Sequence, residues 1–323
     1  MARKGCLVAV ALGALLFGAV ALFGWSWWSR SAVEADTAFV VPAGSSLTSV
    51  AGKLEKEGLI RSADSFLMQA KILGSGDPIK AGEFLIPAGS SAGSILDTFQ
   101  HGEVIRRFVT IPEGLPSIMV WERLKAEPLL TGTIPVPEEG SVLPESYDFE
   151  RGESRAAVLK RMQQAMKDTL AELWPKRASG IAVSSPREAV ILASIVEKET
   201  GVASERRMVA GLYSNRVRQG MLLQADPTII YPITKGKPLG RRIRQSEISA
   251  VNGYNTYTMV GLPTGPITNP GRASIEAVLN PAKTEALYMV ADGKGGHLFA
   301  GTLEEHNANV ARWFAIRRAR GEM

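Results

Sequence analysis

Residues 184–201 read SSPREAVILASIVEKETG, and this stretch decides how the chain is built. Ser185 is placed as an N-cap, Pro186 fills the first helical position, and Glu188 completes a Ser-x-x-Glu capping box. The helix then runs through Thr200, and Gly201 stops it. Between Ala189 and Val196 the residues are apolar on almost every side, which predicts a helix buried inside a domain rather than lying on its surface. At 3.6 residues per turn, Glu199 stacks over Leu192, Ile195 and Val196. Glu197 falls nearer Val190 and Ala193, and Lys198 lies beside Ile191 and Ser194. A carboxyl at the end of the most apolar stripe loses solvation, and the last turn adds unpaired carbonyls and the negative end of the dipole. Both effects favour its protonated form near neutral pH, as a general acid requires. A structural alternative stands beside this one: Glu199 could form an ion pair with Arg206.

Upstream, Arg3 and Lys4 precede an uncharged run from Leu7 to Trp28. A helix of that length spans the roughly 30 Å hydrocarbon core of a bilayer. Trp25, Trp27 and Trp28 stand at its far end, where an interfacial aromatic belt belongs. The apolar run exceeds the about 7–15 residues of a signal-peptide core, although Val33-Glu34-Ala35 is a weak cleavage-like site. An uncleaved single-pass anchor is therefore expected, with the N-terminus inside and the chain beyond residue 30 outside the cytoplasmic membrane. Cys6, the single cysteine, precedes the apolar core and is not placed as a lipoprotein cysteine.

Between anchor and buried helix, a unit repeats: Val41-Pro42-Ala43-Gly44-Ser45-Ser46, Ile86-Pro87-Ala88-Gly89-Ser90-Ser91 and, more loosely, Ile111-Pro112-Glu113-Gly114. Each copy follows a strand-like pattern (38–41, 83–86, 107–111). In the first two, serines are set to cap a following helix. The first such helix should cover 47–57, with Leu47, Val50, Ala51 and Leu54 on one face and Gly58 as its stop. Strand, tight turn and helix in this layout resemble a LysM-type carbohydrate-binding module, although ordinary turn chemistry also accounts for it. Pro- and Gly-rich stretches over 128–144 suggest a long connection. A helix over 154–174 follows, with Val158, Leu159, Met162, Met166, Leu170 and Leu173 at helical spacing.

Composition narrows the chemistry. The 323 residues carry a net charge of +5, which suits an anionic surface or polymer without choosing among them. The C-terminal cluster Arg312, Arg317, Arg318 and Arg320 reads as a solvated helix face. One cysteine forbids an intrachain disulfide, and three histidines make a His-rich metal centre a poor expectation. Acid–base chemistry falls to carboxylates; no metal and no cofactor is expected.

The segment 193–200, ASIVEKET, resembles the catalytic segment of the endolytic murein transglycosylase (YceG-like) family. Further segments recur in the same order: 209–216, 220–231, 254–257, 261–271, 291–299 and 305–307. The resemblance is dense over about 185–310 and looser elsewhere. Ala225 stands where a hydroxyl residue is usual, and Thr264 where a second proline is usual.

The resemblance implies a lyase of cell-wall biogenesis, with Glu199 as catalytic acid and then base, followed by the small hydroxyl residue Thr200. The reaction would cut the β-1,4 bond between N-acetylmuramic acid and N-acetylglucosamine in nascent peptidoglycan strands, leaving 1,6-anhydro ends. Asn215, Gln224, Asn255 and Tyr257 are donors suited to sugar hydroxyls and N-acetyl groups. Tyr254 and Tyr257 could stack on sugar rings. Asp226 is the second carboxylate that a water-using hydrolase would need, or a turn former before Pro227. The loop 261–271 reads as a rigid wall of the cleft, and 293–296 as a turn rather than a phosphate loop.

The expected architecture is α+β: an N-terminal transmembrane helix, a small LysM-like α/β subdomain, and a mixed α+β catalytic domain with a buried catalytic helix. The expected ranges are a cytoplasmic N-terminus at 1–6, anchor 7–28, linker 29–37, LysM-like subdomain 38–107, connecting region 108–180 and catalytic domain 181–323. Expected partners are peptidoglycan glycan strands, the inner membrane and peptidoglycan synthases, with no nucleic acid; the catalytic domain would face the periplasm. Two other readings stay open: a hydrolase using Glu199 with Asp226, and a non-catalytic glycan-binding scaffold.

Overall fold

The structure is a computed structural model that describes residues 2–29 and 33–322, with side chains from residue 11 onward. Part of the expected 29–37 linker and the side chains of Arg3, Lys4 and Cys6 lie outside the described residues. The chain forms two compact units, 1–107 and 108–323.

The first unit opens with α1 (Ala2–Trp28), whose stretch Ala11–Trp28 is long and apolar enough to cross a membrane. Strand β1 (Thr37–Val41) leads to α2 (Leu47–Lys56), α3 (Ala63–Leu73) and β2 (Gly82–Ile86), then to α4 (Ala92–His101). The two strands pair antiparallel, with Phe39 opposite Phe84. Gly44 and Gly89 take φ of +76° and +73°, a region open to glycine but strained for other residues. Ser46 and Ser91 then cap α2 and α4, accepting from the amides of Ser49 and Ser94. Val50, Ala51 and Leu54 of α2 are buried, with Phe39, Phe84 and Phe99, in one core.

That core also contains Trp27, which is 1% exposed and lies 5.9 Å from the Phe66 ring. This corrects the reading of three tryptophans as an aromatic belt. Trp25 and Trp28 are each 69% exposed, whereas Trp27 belongs to the folded module. Burial of an indole among Phe66 and Gly93 removes far more apolar surface from water than an interfacial position would.

The second unit is mixed α and β. Strand β3 (Arg106–Thr110) pairs with β4 (Ser146–Glu150), and α5 (Ser117–Ala126) and α6 (Arg155–Leu173) pack around them. Gly114 repeats the turn of the first unit at φ +71°. Residues 108–180, expected as a connecting region, carry a packed core of Val109, Ile111, Val120, Leu124, Phe149 and Met162. Then come α7 (Pro186–Glu199), α8 (Arg206–Arg218), α9 (Asp226–Thr234), α10 (Gln245–Ile248) and α11 (Arg272–Leu279). An antiparallel hairpin of β5 (Tyr288–Ala291) and β6 (His297–Ala300), followed by α12 (Leu303–Ala319), completes the unit.

Helix α7 is the hub. Ser185 accepts from the Glu188 amide at 3.2 Å, and every side chain from Ala189 to Val196 is buried. Ser194, buried in the middle, donates to the Ile191 carbonyl and accepts from the Ile267 amide. Residues 261–271 thus brace the core, and Ile267 also lines a groove with Gly114, Met119 and Pro227. Asn269, wholly buried, donates to the Leu115 carbonyl at 2.9 Å and accepts from the Val142 amide at 3.0 Å. Buried backbone groups need such partners, and one asparagine supplies several.

Candidate active site

Helix α7 ends at Glu199, where Thr200 takes up an extended backbone. The last-turn position carries the Glu199 side chain out of the core into a cleft of about 450 Å³. Helix α8 supplies Tyr213 and Arg216, one turn apart on one face. The segment before α9 supplies Gln224, and the first residue of α9 is Asp226. Tyr257, Tyr288 and His306 complete the polar wall, and Leu212, Leu223, Met289 and Leu303 the apolar one.

Glu199 keeps a large share of its proton up to neutral pH. Burial pushes its carboxyl from the ordinary 4.5 up to about 7, and the Asp226 charge pushes the same way. The Tyr213 hydroxyl, donating to the carboxylate, and the Arg216 cation offset part of this. The end of α7, with its unpaired carbonyls, also disfavours the anion. Tyr213 is itself fully enclosed, so burial first and the Glu199 charge second keep its hydroxyl protonated and donating.

Arg216 is a fixed cation. Its guanidinium donates to the carbonyls of Leu287 (2.6 Å), Leu222 (3.0 Å) and Leu223 (2.9 Å), and lies over the Tyr288 ring. It is satisfied by backbone oxygens, so it contributes charge without closing onto Glu199 as a partner. Asp226 accepts from the Tyr257 hydroxyl at 2.6 Å. Gln224 sits at φ +52°, a left-handed conformation uncommon for a non-glycine residue, with its side-chain oxygen 3.4 Å from Arg216.

The ion-pair alternative for Glu199 is not what forms. Arg206 lies 3.5 Å from Glu113 and 3.9 Å from Glu197. Glu197 also accepts from the Gly271 amide at the start of α11, at 2.9 Å. Of the two glutamates, Glu197 anchors structure and Glu199 faces the cleft.

Among the other expected residues, Gln224, Asp226 and Tyr257 line the cleft with Glu199, and four do not. Asn215 donates to the carbonyls of Thr284 and Ala286. Asn255, wholly buried, donates to those of Ile248 and Ala250. The Tyr254 ring lies 4.8 Å from that of Tyr231. Thr200 is buried and accepts from the Val202 amide, shaping the turn after α7. Tyr213, Arg216, Tyr288 and His306 were not singled out in the sequence as site residues. Tyr213 and Arg216 stand three apart on a helix, a spacing that places them together.

The match to a sequence model of the YceG-like family extends over residues 39–312, most of the chain and both units. The chain belongs to the YceG-like family. Its membership accords with the order of segments between 185 and 310. Among relatives, the YceG-like chain is similar to the endolytic murein transglycosylase of Bacillus subtilis (strain 168), at 27% identity over 94% of this chain and 92% of that protein. It is also similar to the endolytic murein transglycosylase of Streptococcus pneumoniae D39, at 28% identity over 84% of this chain. There it spans 57% of the longer pneumococcal protein. A 2.6 Å crystal structure of a YceG-like protein of Listeria monocytogenes superposes with a TM-score of 0.50 at 27% identity, covering 85% of this chain and 99% of that one.

Proposed function

We propose that this chain is an endolytic murein lytic transglycosylase, a lyase that cuts the β-1,4 bond between N-acetylmuramic acid and N-acetylglucosamine within nascent glycan strands. One observation carries the reading: a single carboxyl, Glu199, is kept protonated by burial at the wall of an open cleft, and its carboxylate neighbour Asp226 is engaged by Tyr257.

One carboxyl is enough for the chemistry. Glu199 gives its proton to the glycosidic oxygen as the C1–O bond breaks, and the leaving sugar departs with a 4-hydroxyl. The carboxylate then takes the proton of the muramic C6 hydroxyl, whose oxygen closes on C1. Water is not consumed, Glu199 is protonated again, and the product is a 1,6-anhydro end. Tyr213 and Arg216 ease the anionic stage between the two transfers, since both stabilise the Glu199 carboxylate. Gln224, Tyr257 and His306 are positioned to hold sugar hydroxyls and N-acetyl groups.

The remaining assignments belong to the same proposal. Helix α1 is a single-pass inner-membrane anchor, and the catalytic unit works in the periplasm, where synthases extend the strands. The order β1-α2-α3-β2, with its two strands paired, supports a LysM-like glycan-binding role for the first unit. The proximity of Asp226 favours one rival, hydrolysis with Asp226 assisting a water. Mass spectrometry of digested sacculi separates the two. Anhydromuramic ends that vanish with Glu199→Gln support the transglycosylase, and reducing ends would replace it with the hydrolase.

A further inference from the structure

Helix α3 has two sides that the packing treats differently. Phe66 and Ala70 face the core, and Gln69 turns towards α1. The Gln69 amide donates to the Phe23 carbonyl at 2.9 Å and to the Ser26 hydroxyl at 2.6 Å. At 100° per residue, Met68 and Ile72 lie next to Gln69 on the side away from the core. Met68 is 56% and Ile72 63% exposed, and Leu73 at the helix end is exposed too. Met68 shares with Phe23 a groove of about 420 Å³ between the two helices.

The height of this face follows from α1. Phe23 lies five residues inside the end of the apolar helix at Trp28, so it sits roughly 7–8 Å below that end. Hydrogen bonds from Gln69 to Phe23 and Ser26 hold α3 at the same level. With Trp27 locked into the core of the same unit, α3 has little freedom to swing away.

We infer that α3 is a lipid-contacting helix: its Met68–Ile72 face enters the headgroup–acyl boundary of the bilayer that α1 crosses, and it seats the first unit on the membrane surface. This rests on the reading of α1 as an anchor. An interfacial helix buries its apolar face about 5–10 Å into that boundary, which matches the level of Met68 beside Phe23. Lys71, exposed on the flank of the same helix, is placed to meet lipid phosphates.

The test uses the full chain in phosphatidylglycerol-containing bilayers. Cys6→Ser removes the native thiol, and single cysteines at Phe17, Ile72 and Ala43 carry a fluorophore quenched by nitroxide-bearing lipids. Ala43 is the control, in the turn beyond the Val41 end of β1. The expected result is strong quenching at 17 and 72 and at least about threefold less at 43, as a helix face within the interface requires. Quenching at 17 with 72 no different from 43 would overturn the lipid contact and leave the anchor standing. No quenching at 17 would overturn the anchor and the contact with it. In a second arm, Met68→Ser with Ile72→Ser should cut quenching of a label at Lys71 severalfold; unchanged quenching there counts against the proposal.

Discussion

Tyr257 donates its hydroxyl to Asp226 at 2.6 Å, and Asp226 in turn raises the pKa of Glu199 by its charge. The second carboxylate is thereby a modulator of the first. Asp226→Asn should move the alkaline limb of activity to lower pH and leave activity at pH 5.5 within about tenfold of wild type, since only a charge is lost. A loss as large as that of Glu199→Gln would identify Asp226 with the chemistry itself. The readout is the pH profile of glycan cleavage by both variants.

In the wild type, kcat/KM should fall about tenfold per pH unit above roughly 7, because the free enzyme must hold the Glu199 proton. Glu199→Gln should lower turnover by about a thousandfold, within the range for losing a general acid. A flat profile between pH 6 and 9 would remove Glu199 from the proton transfer.

The same shift bears on stability. Glu199 binds its proton more tightly folded than unfolded, so its contribution is complete below about 4.5 and is lost as pH rises through about 7. Glu199→Gln escapes that loss. Its Tm should match wild type near pH 4.5 and exceed it by a few degrees at pH 8, an upper bound of about 3 kcal/mol. Thermal unfolding at both values decides the sign.

His306 stacks on Tyr288 at 5.2 Å, and its Nδ1 is buried without a protein partner. Burial first, and Arg216 second, hold the imidazole below its usual pKa, so it meets a ligand neutral. A buried polar atom at a cleft wall wants a partner, and bound sugar can provide one. His306→Phe keeps the ring stack, and should raise KM at least about tenfold while Tm stays within about 2 °C. His306→Asn, which restores a polar atom near Nδ1, should recover part of the loss. A fall in Tm with KM unchanged would reduce His306 to packing.

Glu197 makes the contrasting prediction. Glu197→Ala strips the Gly271 amide of its acceptor and weakens the hold on Arg206, at a cost of about 1–3 kcal/mol. Calorimetry should show the lower Tm, and turnover of the folded enzyme should stay within about threefold of wild type.

Much of this was legible along the chain because it is local. The cap at Ser185, the buried face of 189–196 and a stop near Gly201, which falls one residue earlier at Thr200, all lie within a few turns. The Pro-x-Gly turns needed only the left-handed preference of Gly44, Gly89 and Gly114. What could not be read depends on partners far away in sequence. Asn215 and Asn255 look like sugar donors until the carbonyls of Thr284, Ala286, Ile248 and Ala250 are found to use them. The bracing role of the loop 261–271 depends on Asn269 bridging Leu115 and Val142, far away in sequence. His306 reaches the cleft because α12 packs on the β5–β6 hairpin, which sets it beside Tyr213 and Arg216.

Trp27 gives the anchor a second meaning. Shedding the first unit from the membrane by cutting between Trp27 and β1 would leave a tryptophan-sized void under Phe66 and Gly93. Losing a buried ring costs about 3–5 kcal/mol, a large part of what a small domain has to spare. A soluble, released form of this protein would thus be a weakened one, and an intact module implies an attached one.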